Sequence, residues 1–525
     1  MAALDRGEAS SNTRTHQLLR PINSEGTGLR RHAPGVVEPI SKGQRGIAPF
    51  SAQGRRQAEN GCGPERSDFR PESAEPIGPP IPRKFFPRPP ERVEDTGIGR
   101  AFLTDLAIRI LYQGTEMTGS AIAERMGLPF YDVVEPLLAR LRHDRDIDVK
   151  GQHGIGDAAY LYGITEKGSL HARDSLERLN YTGPCPVPVS QYIESVNAQT
   201  VRNVVVTQDN IRQAFADLII ADDILDMIGP AVNSGASIFL FGYPGNGKTA
   251  IAERITKLMG DDIFVPYAID VDGDVVTVFD AINHTRVDEA EMGGGRGKPT
   301  WDDRWVKIER PIVMVGGELT MASLDLLYND VGRYYEAPLQ MKANGGMFLI
   351  DDFGRQMVRP QDLLNRWIVP LEKHVDFLNL ISGKKLAVPF EELIVFSTNL
   401  DPAALVDEAF LRRIKFKINI VDPDERQFHE IFELVCAQRG IAFTERAFQY
   451  LLKTRYAPPG GHAMRMCHPR DLMDQLIAIA KYRMVPAVMT EQLLDAACNT
   501  YFVNVFGDYR SSSTAASRHA WVAKR

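Results

Sequence analysis

Apolar residues fall along this chain in two rhythms. Ile238–Phe241, 263–269, Met347–Ile350 and 393–396 are short, almost continuously apolar runs. Runs of that length with no polar alternation predict strands buried on both faces, as in a parallel sheet. In 422–505 the rhythm changes. Apolar positions recur there every three or four residues over Glu425–Arg439, 445–454, 471–484 and 491–497, which predicts helices. The pattern divides this half of the chain into an α/β domain, 206–421, and a helical domain, 422–505.

Upstream, residues 97–178 read as a helix (102–112), a short helix (Gly119–Met126) and a third (about 131–143). Ile147-Asp-Val-Lys-Gly and Tyr160-Leu-Tyr-Gly then flank a glycine-containing turn, in the order of a winged helix-turn-helix. Arg140, Arg142, His143 and Arg145 would face DNA if the third helix read a major groove. The local charge opposes that: residues 101–180 hold 9 Lys/Arg against 12 Asp/Glu. Asp132, Glu135, Asp144 and Asp146 sit in or beside that helix, where they would repel phosphate. Pro136 also limits where the helix can begin, because proline is comfortable only in a first turn. The balance favours a surface for protein or for another subunit over a DNA reader.

Residues 1–96 carry 13 of the 33 prolines and no apolar periodicity, which predicts a disordered proline- and glycine-rich tail. Residues 179–205, with Tyr-Thr-Gly-Pro-Cys-Pro-Val-Pro-Val, predict a stiff proline-rich linker. Residues 506–525 read as a flexible polar tail. At 525 residues and 44% hydrophobic content the chain can bury several cores. It has no apolar run near 18 residues and a polar start, so a cytoplasmic protein with no membrane insertion is expected. Cys62, Cys185, Cys436, Cys467 and Cys498 show no metal spacing, and the net charge of −7 argues against general coating of nucleic acid.

The chemistry concentrates after the first apolar run. Gly242-Tyr-Pro-Gly-Asn-Gly-Lys248-Thr249 fits G-x-x-x-x-G-K-[ST], a P-loop, between a predicted strand and a predicted helix. Gly242, Gly245 and Gly247 let main-chain N–H groups close on phosphate oxygens, and Pro244, Asn246 and Ala250 complete the cradle. Lys248 is expected on the β- and γ-phosphates of ATP and the Thr249 hydroxyl on Mg²⁺. The run Met347–Ile350 ends in Asp351 and Asp352. Asp351 would join Thr249 in holding the Mg²⁺ shell, and Asp352 would orient the attacking water. The strand at 393 ends in Asn399, an amide placed to contact the γ-phosphate or the water. Arg412 and Arg413 follow, and later His468-Pro-Arg470-Asp-Leu. His462 and His468 lack ligand partners at metal spacing and read as structural.

Together these motifs resemble the AAA+ ATPases over about 206–505. A strand–turn–strand pattern at 375–399 and the approach Tyr335-Glu-Ala-Pro-Leu-Gln-Met-Lys-Ala-Asn-Gly-Gly resemble the group with a hairpin before the fourth strand, including MoxR-like proteins. The resemblance implies a P-loop NTPase parallel sheet flanked by helices, a helical lid and an N-terminal winged-helix domain. It also implies that Asp351 and Asp352 are the Walker B pair, with Asp352 one methylene shorter than the usual Glu. Asn399 would be sensor 1, Arg412 or Arg413 an arginine finger acting in a neighbouring subunit, and Arg470 sensor 2. The function implied is ATP hydrolysis by a ring, hexameric by resemblance, that remodels an unknown protein partner. Two alternatives stay open: a DNA-associated motor using its winged helix, and a slow or non-hydrolysing assembly switch. The stretch 270–344 reads as an insertion facing a pore, with Trp301, Trp305, Tyr334 and Tyr335 as candidate substrate contacts or as packing residues. Arg355 and Arg366 could be interface arginines or surface charges.

Overall fold

The computed structural model describes residues 85–287, 301–405, 408–457, 459 and 461–502. The predicted tails up to residue 84 and from 506, Cys62 and the glycine-rich 291–300 lie outside the described residues. Residues 85–96 belong to the fold, contrary to the tail expected through 96: Val93 and Thr96 are buried, and Phe85 packs 5.2 Å from Trp305 between ring centroids.

The first unit runs α1 (Arg100–Gly114), β1 (Glu116–Thr118), α2 (Gly119–Met126), α3 (Glu135–His143), β2 (Ile147–Gln152), β3 (Tyr160–Ile164) and α4 (Glu166–Arg178). β3 lies between β1 and β2, antiparallel to both. The three helices precede the β2–β3 pair as expected, and β1 and α4 are added to what periodicity predicts. The Thr118 hydroxyl caps α2 by accepting from Ala121 N–H at 3.2 Å, and Gly127 at φ +63° ends it. α3 starts at Glu135 with Pro136 in its first turn, where a missing N–H costs nothing. The earlier start expected at 131 is broken by Asp132 at φ +65°. Leu137, Leu138 and Leu141 of α3 are buried, and Arg140, Arg142 and His143 are exposed.

The stretch expected as a linker is built into the fold. Val187–Pro188 forms β4, which pairs in parallel with 269–270 of the later insertion, and α5 (Val189–Ala198) buries Tyr192 and Val196. Proline at 188 suits both roles, as a strand end and as the residue before a helix. α6 (Gln208–Ala214) and α7 (Asp222–Ser234) lead into β5 (Ile238–Phe241) and α8 (Lys248–Thr256).

Next comes a mostly β insertion: β6 (Ile263–Pro266), β7 (Ala268–Val271), β8 (Asp274–Thr277) and β9 (Trp305–Ile308), followed by β10 (Ile312–Val315). β11 (Leu327–Asn329), β12 (Tyr334–Glu336) and α9 (Leu339–Ala343) precede β13 (Met347–Ile350). The strand expected over 263–269 is two strands, β6 and β7, parted at Tyr267. β6 pairs antiparallel with β9, and β7 with β8. β6 and β9 form a two-stranded sheet by themselves, and β7 and β8 belong to a five-stranded sheet in the order β11-β12-β8-β7-β4. Trp305 and Tyr335 are buried, Trp301 lies against Phe264 at 5.6 Å and Tyr334 against Tyr181 at 5.8 Å. The insertion's own core therefore takes Trp301, Trp305 and Tyr335, while Tyr334 packs against the core of the first unit. Arg304 and Asp302, both 2% exposed, pair at 2.8 Å, and Arg304 Nη1 donates to Thr96 O at 2.9 Å, tying the insertion to the segment before α1.

α10 (Pro360–Lys373), the hairpin β14 (Val375–Asn379) and β15 (Lys385–Pro389), β16 (Leu393–Thr398), α11 (Pro402–Leu405), α12 (Glu408–Leu411) and β17 (Phe416–Asn419) complete the α/β domain. Its sheet is wholly parallel in the order β10-β13-β16-β5-β17. β10, from the stretch read as insertion, takes the edge beside β13, and β6, expected as a buried strand of the parallel sheet, lies outside that sheet. Only one face of β10 is covered: Val313 and Val315 are buried, whereas Ile312 and Met314 are partly exposed. The central strands are buried on both faces, which is why their sequences do not alternate. Ile238, Leu240, Leu349 and Val395 enter one core, and Phe239, Phe348, Ile350 and Phe396 the other. Each of those phenylalanines is worth roughly 1.5–3 kcal/mol of burial. The Arg366 side chain is engaged internally, bidentate to buried Asp376 at 2.5 and 3.0 Å.

The helical domain has α13 (Glu425–Arg439), α14 (Glu445–Leu451), α15 (His468–Tyr482) and α16 (Glu491–Tyr501). Asp424 and Gln427 form a capping box at the start of α13, and Gly440 at φ +68° closes it. Among the described residues no helix is long and apolar enough to cross a membrane.

Candidate nucleotide site

The P-loop leaves β5 at the C-terminal edge of the parallel sheet, where open α/β sheets place ligands. Gly242 sits at φ +144°, and a Cβ there would lie 2.2 Å from Ile420 O of the adjoining strand end. Gly245 sits at φ +86°, with a Cβ position 2.5 Å from Cys467 Sγ. Neither place admits a side chain. The loop feeds α8, whose first N–H groups have no intrahelical partners and whose dipole is positive at that end.

Lys248 is buried, and its Nζ donates to Gly242 O (3.1 Å), Tyr243 O (2.9 Å) and Asn399 Oδ1 (2.5 Å). Burial pulls its pKa below the ordinary lysine value, while Asp351 and Asp352 pull it back up. The other half of the Asn399 amide donates to Asp352 Oδ1 at 2.8 Å. Asn399 thus bridges the ammonium and the carboxylate. The Thr249 hydroxyl donates to Asp351 Oδ2 at 2.9 Å, so a hydroxyl and a carboxylate sit side by side. Asp352 holds φ +49°, a left-handed conformation that Asp tolerates better than longer side chains.

These groups line one cleft of about 570 Å³ between sheet and helical domain. Pro244, Gly245, Asn246, Gly247, Lys248, Thr249, Ala250, Asp351, Asp352, Asn399 and Arg470 all reach it. Gly242 lies behind the loop. Arg470 stands at the lip, its side chain 61% exposed and its Nε donating to Asp471 at 3.0 Å. Arg412 and Arg413 are not in this chain's own cleft. Arg412 is mostly exposed and pairs with Glu408 at 2.8 Å, while Arg413 Nε donates to Glu372 at 2.7 Å. His468 is buried against Tyr456, Tyr501 and Phe502 and His462 stacks on Phe502 at 3.9 Å, so both are packing groups.

Several wall residues escaped the sequence reading. Leu218, Ile219 and Ile220 line the cleft from the segment before α7, beside Asp217, which Arg254 of α8 holds at 2.6 and 3.1 Å. Ile431, Val435 and Gln438 of α13 face them. The apolar stripe of α13 was legible, but not which part of it would be left over for a ligand. The cradle that a Cβ would fill, the buried ammonium and the paired oxygens of Thr249 and Asp351 fit a nucleoside polyphosphate with a hard divalent cation.

Residues 424–500 match a family model described as a domain of unknown function (DUF8689). No curated protein matches the chain. Among solved structures it is similar to NtrX from Brucella abortus in complex with ADP, at 13% identity and a TM-score of 0.35 over 66% of this chain and 70% of that one. It is also similar to NtrX in complex with ATP, at 14% identity and TM-score 0.33 over 58% and 61%. The Thermotoga maritima RuvB Holliday junction branch migration motor aligns at 12% identity and TM-score 0.30 over 56% and 70%. Likenesses this distant carry no functional argument; the site's own geometry does.

Proposed function

We propose that this chain binds ATP with Mg²⁺, hydrolyses it, and works as a ring of copies that remodels a protein partner, in the manner of MoxR-like AAA+ ATPases. The observation that carries the reading is the hydrogen-bonded run Lys248–Asn399–Asp352 beside the Thr249–Asp351 pair, all in one cleft. Lys248 would leave its main-chain carbonyls for the terminal phosphates. Thr249 and Asp351 would hold the metal, which when bound neutralises charge on the phosphates. Asp352, steadied by Asn399, would orient and deprotonate the attacking water. α13 and α15 would close over the nucleotide as a lid.

The exposed Arg412 is the better placed of the two arginines to reach a neighbouring copy, since it gives up only a solvated pair worth under about 1 kcal/mol. In trans it would neutralise charge on the transferring phosphoryl group and make turnover depend on assembly. A cytoplasmic location accords with this reading. The test is ATP binding and steady-state turnover in Lys248→Ala and Asp352→Ala. Lys248→Ala is expected to lose binding or turnover, and Asp352→Ala to keep binding while turnover falls by about 100-fold or more. Ordinary turnover in both variants would remove the assignment.

The switch reading rests on Asp352 standing where the resemblance leads one to expect the longer Glu. Tight ATP binding without multiple turnover in the wild type would select it.

A further inference from the structure

The P-loop position between Gly245 and Gly247 is one that the phosphate cradle itself leaves free. Here it is Asn246, with a fully buried side chain. Its amide is turned away from the cradle toward the helical domain. Nδ2 donates to Asp422 Oδ1 at 2.7 Å, and Oδ1 accepts from Met466 N–H at 3.4 Å. Asp422 stands just after β17, where the chain enters the helical domain, and Met466 belongs to the loop that leads into α15.

Two further contacts close the circuit. Arg465 donates to the same Asp422 Oδ1, and its guanidinium carbon lies 4.2 Å over the Tyr243 ring, another P-loop position. Cys467 N–H donates to Gly245 O at 2.9 Å. The arginine is only 18% exposed, so its bond to Asp422 is screened less than a surface pair. The loop 464–467 is thus fastened to the P-loop by the Asn246, Asp422 and Arg465 side chains and by the main-chain bond from Cys467 to Gly245.

We propose that Asn246 is a positioning residue: through Asp422 and Arg465 it locks the 464–467 loop onto the P-loop, so that the lid and the phosphate cradle respond to nucleotide as one body. The lock can hold without nucleotide; its use in sensing nucleotide rests on the ATP-binding reading above. The chemistry suits such a role. An amide can donate to the hinge carboxylate and accept from the loop at the same time, which Ser, Thr or Ala at this position could not do at both distances.

The test is amide hydrogen exchange on the full chain. Without nucleotide, Asn246→Ala and Asp422→Asn are each expected to speed exchange at Met466 and Cys467 by about tenfold, the loss of one charge-assisted bond. The double variant should fall short of the sum of the singles, because the two share the Asn246–Asp422 bond. Amides of α16, remote from the lock, serve as the folding control and should keep their wild-type rates. Saturating ATP should then protect Met466 and Cys467 further in the wild type and markedly less in Asn246→Ala. Arg465→Lys, which keeps the charge and loses the planar stack on Tyr243, should fall between. Unchanged exchange at these two amides in both single variants, or full additivity in the double, overturns the lock. Protection by ATP as large in Asn246→Ala as in the wild type overturns its sensing role. If ATP changes no amide in the wild type, the nucleotide reading fails, while the nucleotide-free comparison still decides the lock.

Discussion

Individual residues in the cleft are chosen for backbone as much as for chemistry. Gly245 combines φ +86° with a Cβ position 2.5 Å from Cys467 Sγ. Gly245→Ala is therefore expected to weaken ATP binding by at least about tenfold, from strain of about 1–2 kcal/mol plus a displaced loop, as read by nucleotide titration. Cys467→Ala in the same chain should recover only the steric part. Asp352 is a parallel case. The resemblance leads one to expect Glu there, but φ +49° disfavours the longer side chain, and the bond to Asn399 is set for the shorter one. Asp352→Glu should lower turnover instead of raising it, and a faster Asp352→Glu enzyme would refute this account of the substitution. The P-loop and the acid-ended strand were legible because each is local. The Asn399 bridge was not, since it joins groups 151 and 47 positions away in sequence.

At the scale of elements, the strands of the central sheet are held by a shared aromatic layer. Trp367 of α10 is fully buried, 5.3 Å from Phe348 and 6.4 Å from Phe396. Trp367→Ala is expected to cost about 3–5 kcal/mol, read as a fall in denaturation midpoint. Trp367→Phe should cost far less, since the indole Nε1 is buried without a hydrogen-bond partner and loses none. The helical domain carries a pH dependence through His468. Burial pushes its pKa down to about 4, whereas in an unfolded chain it titrates near 6.5. The unfolded state takes up the proton first, so the stability of the helical domain should fall as pH drops from about 6.5 towards 4, by about 3 kcal/mol at most. Thermal melts across that range should show the slope in the wild type and a flatter one in His468→Gln.

For the whole molecule, the placement of the arginines decides what can be tested. Arg412 and Arg413 lie outside the cleft that their own chain builds, so any part they take in hydrolysis comes from another copy. Turnover per chain is expected to rise with protein concentration through the assembly range, with Arg412→Ala losing more of that rise than Arg413→Ala. Duplex DNA should leave turnover unchanged; stimulation that disappears at moderate salt would favour the DNA-motor alternative instead. The first unit presents mixed charge on its third helix. Its α3 exposes Arg140, Arg142 and His143, but Asp144 stands beside them, with Arg140 Nε 3.7 Å from its carboxylate.

The sequence by itself determined what depends on short-range physics. Continuous apolar runs favour buried strands, a three-to-four spacing lays its stripe on one side of a helix, and a glycine-spaced loop before a lysine has the cradle written into it. Tertiary structure decided what depends on which segments meet. It split 263–269 at Tyr267 and gave the sheet edge to 312–315, because a half-covered edge strand and an insertion strand look alike in one dimension. It turned the proline-rich 179–205 into a strand and a helix, since proline is compatible with both positions and only the neighbouring β7 supplies the pairing. It also brought Asp422 and Arg465 against Asn246, a meeting with no local pattern to announce it, because charge complementarity acts across space and leaves no periodicity along the chain.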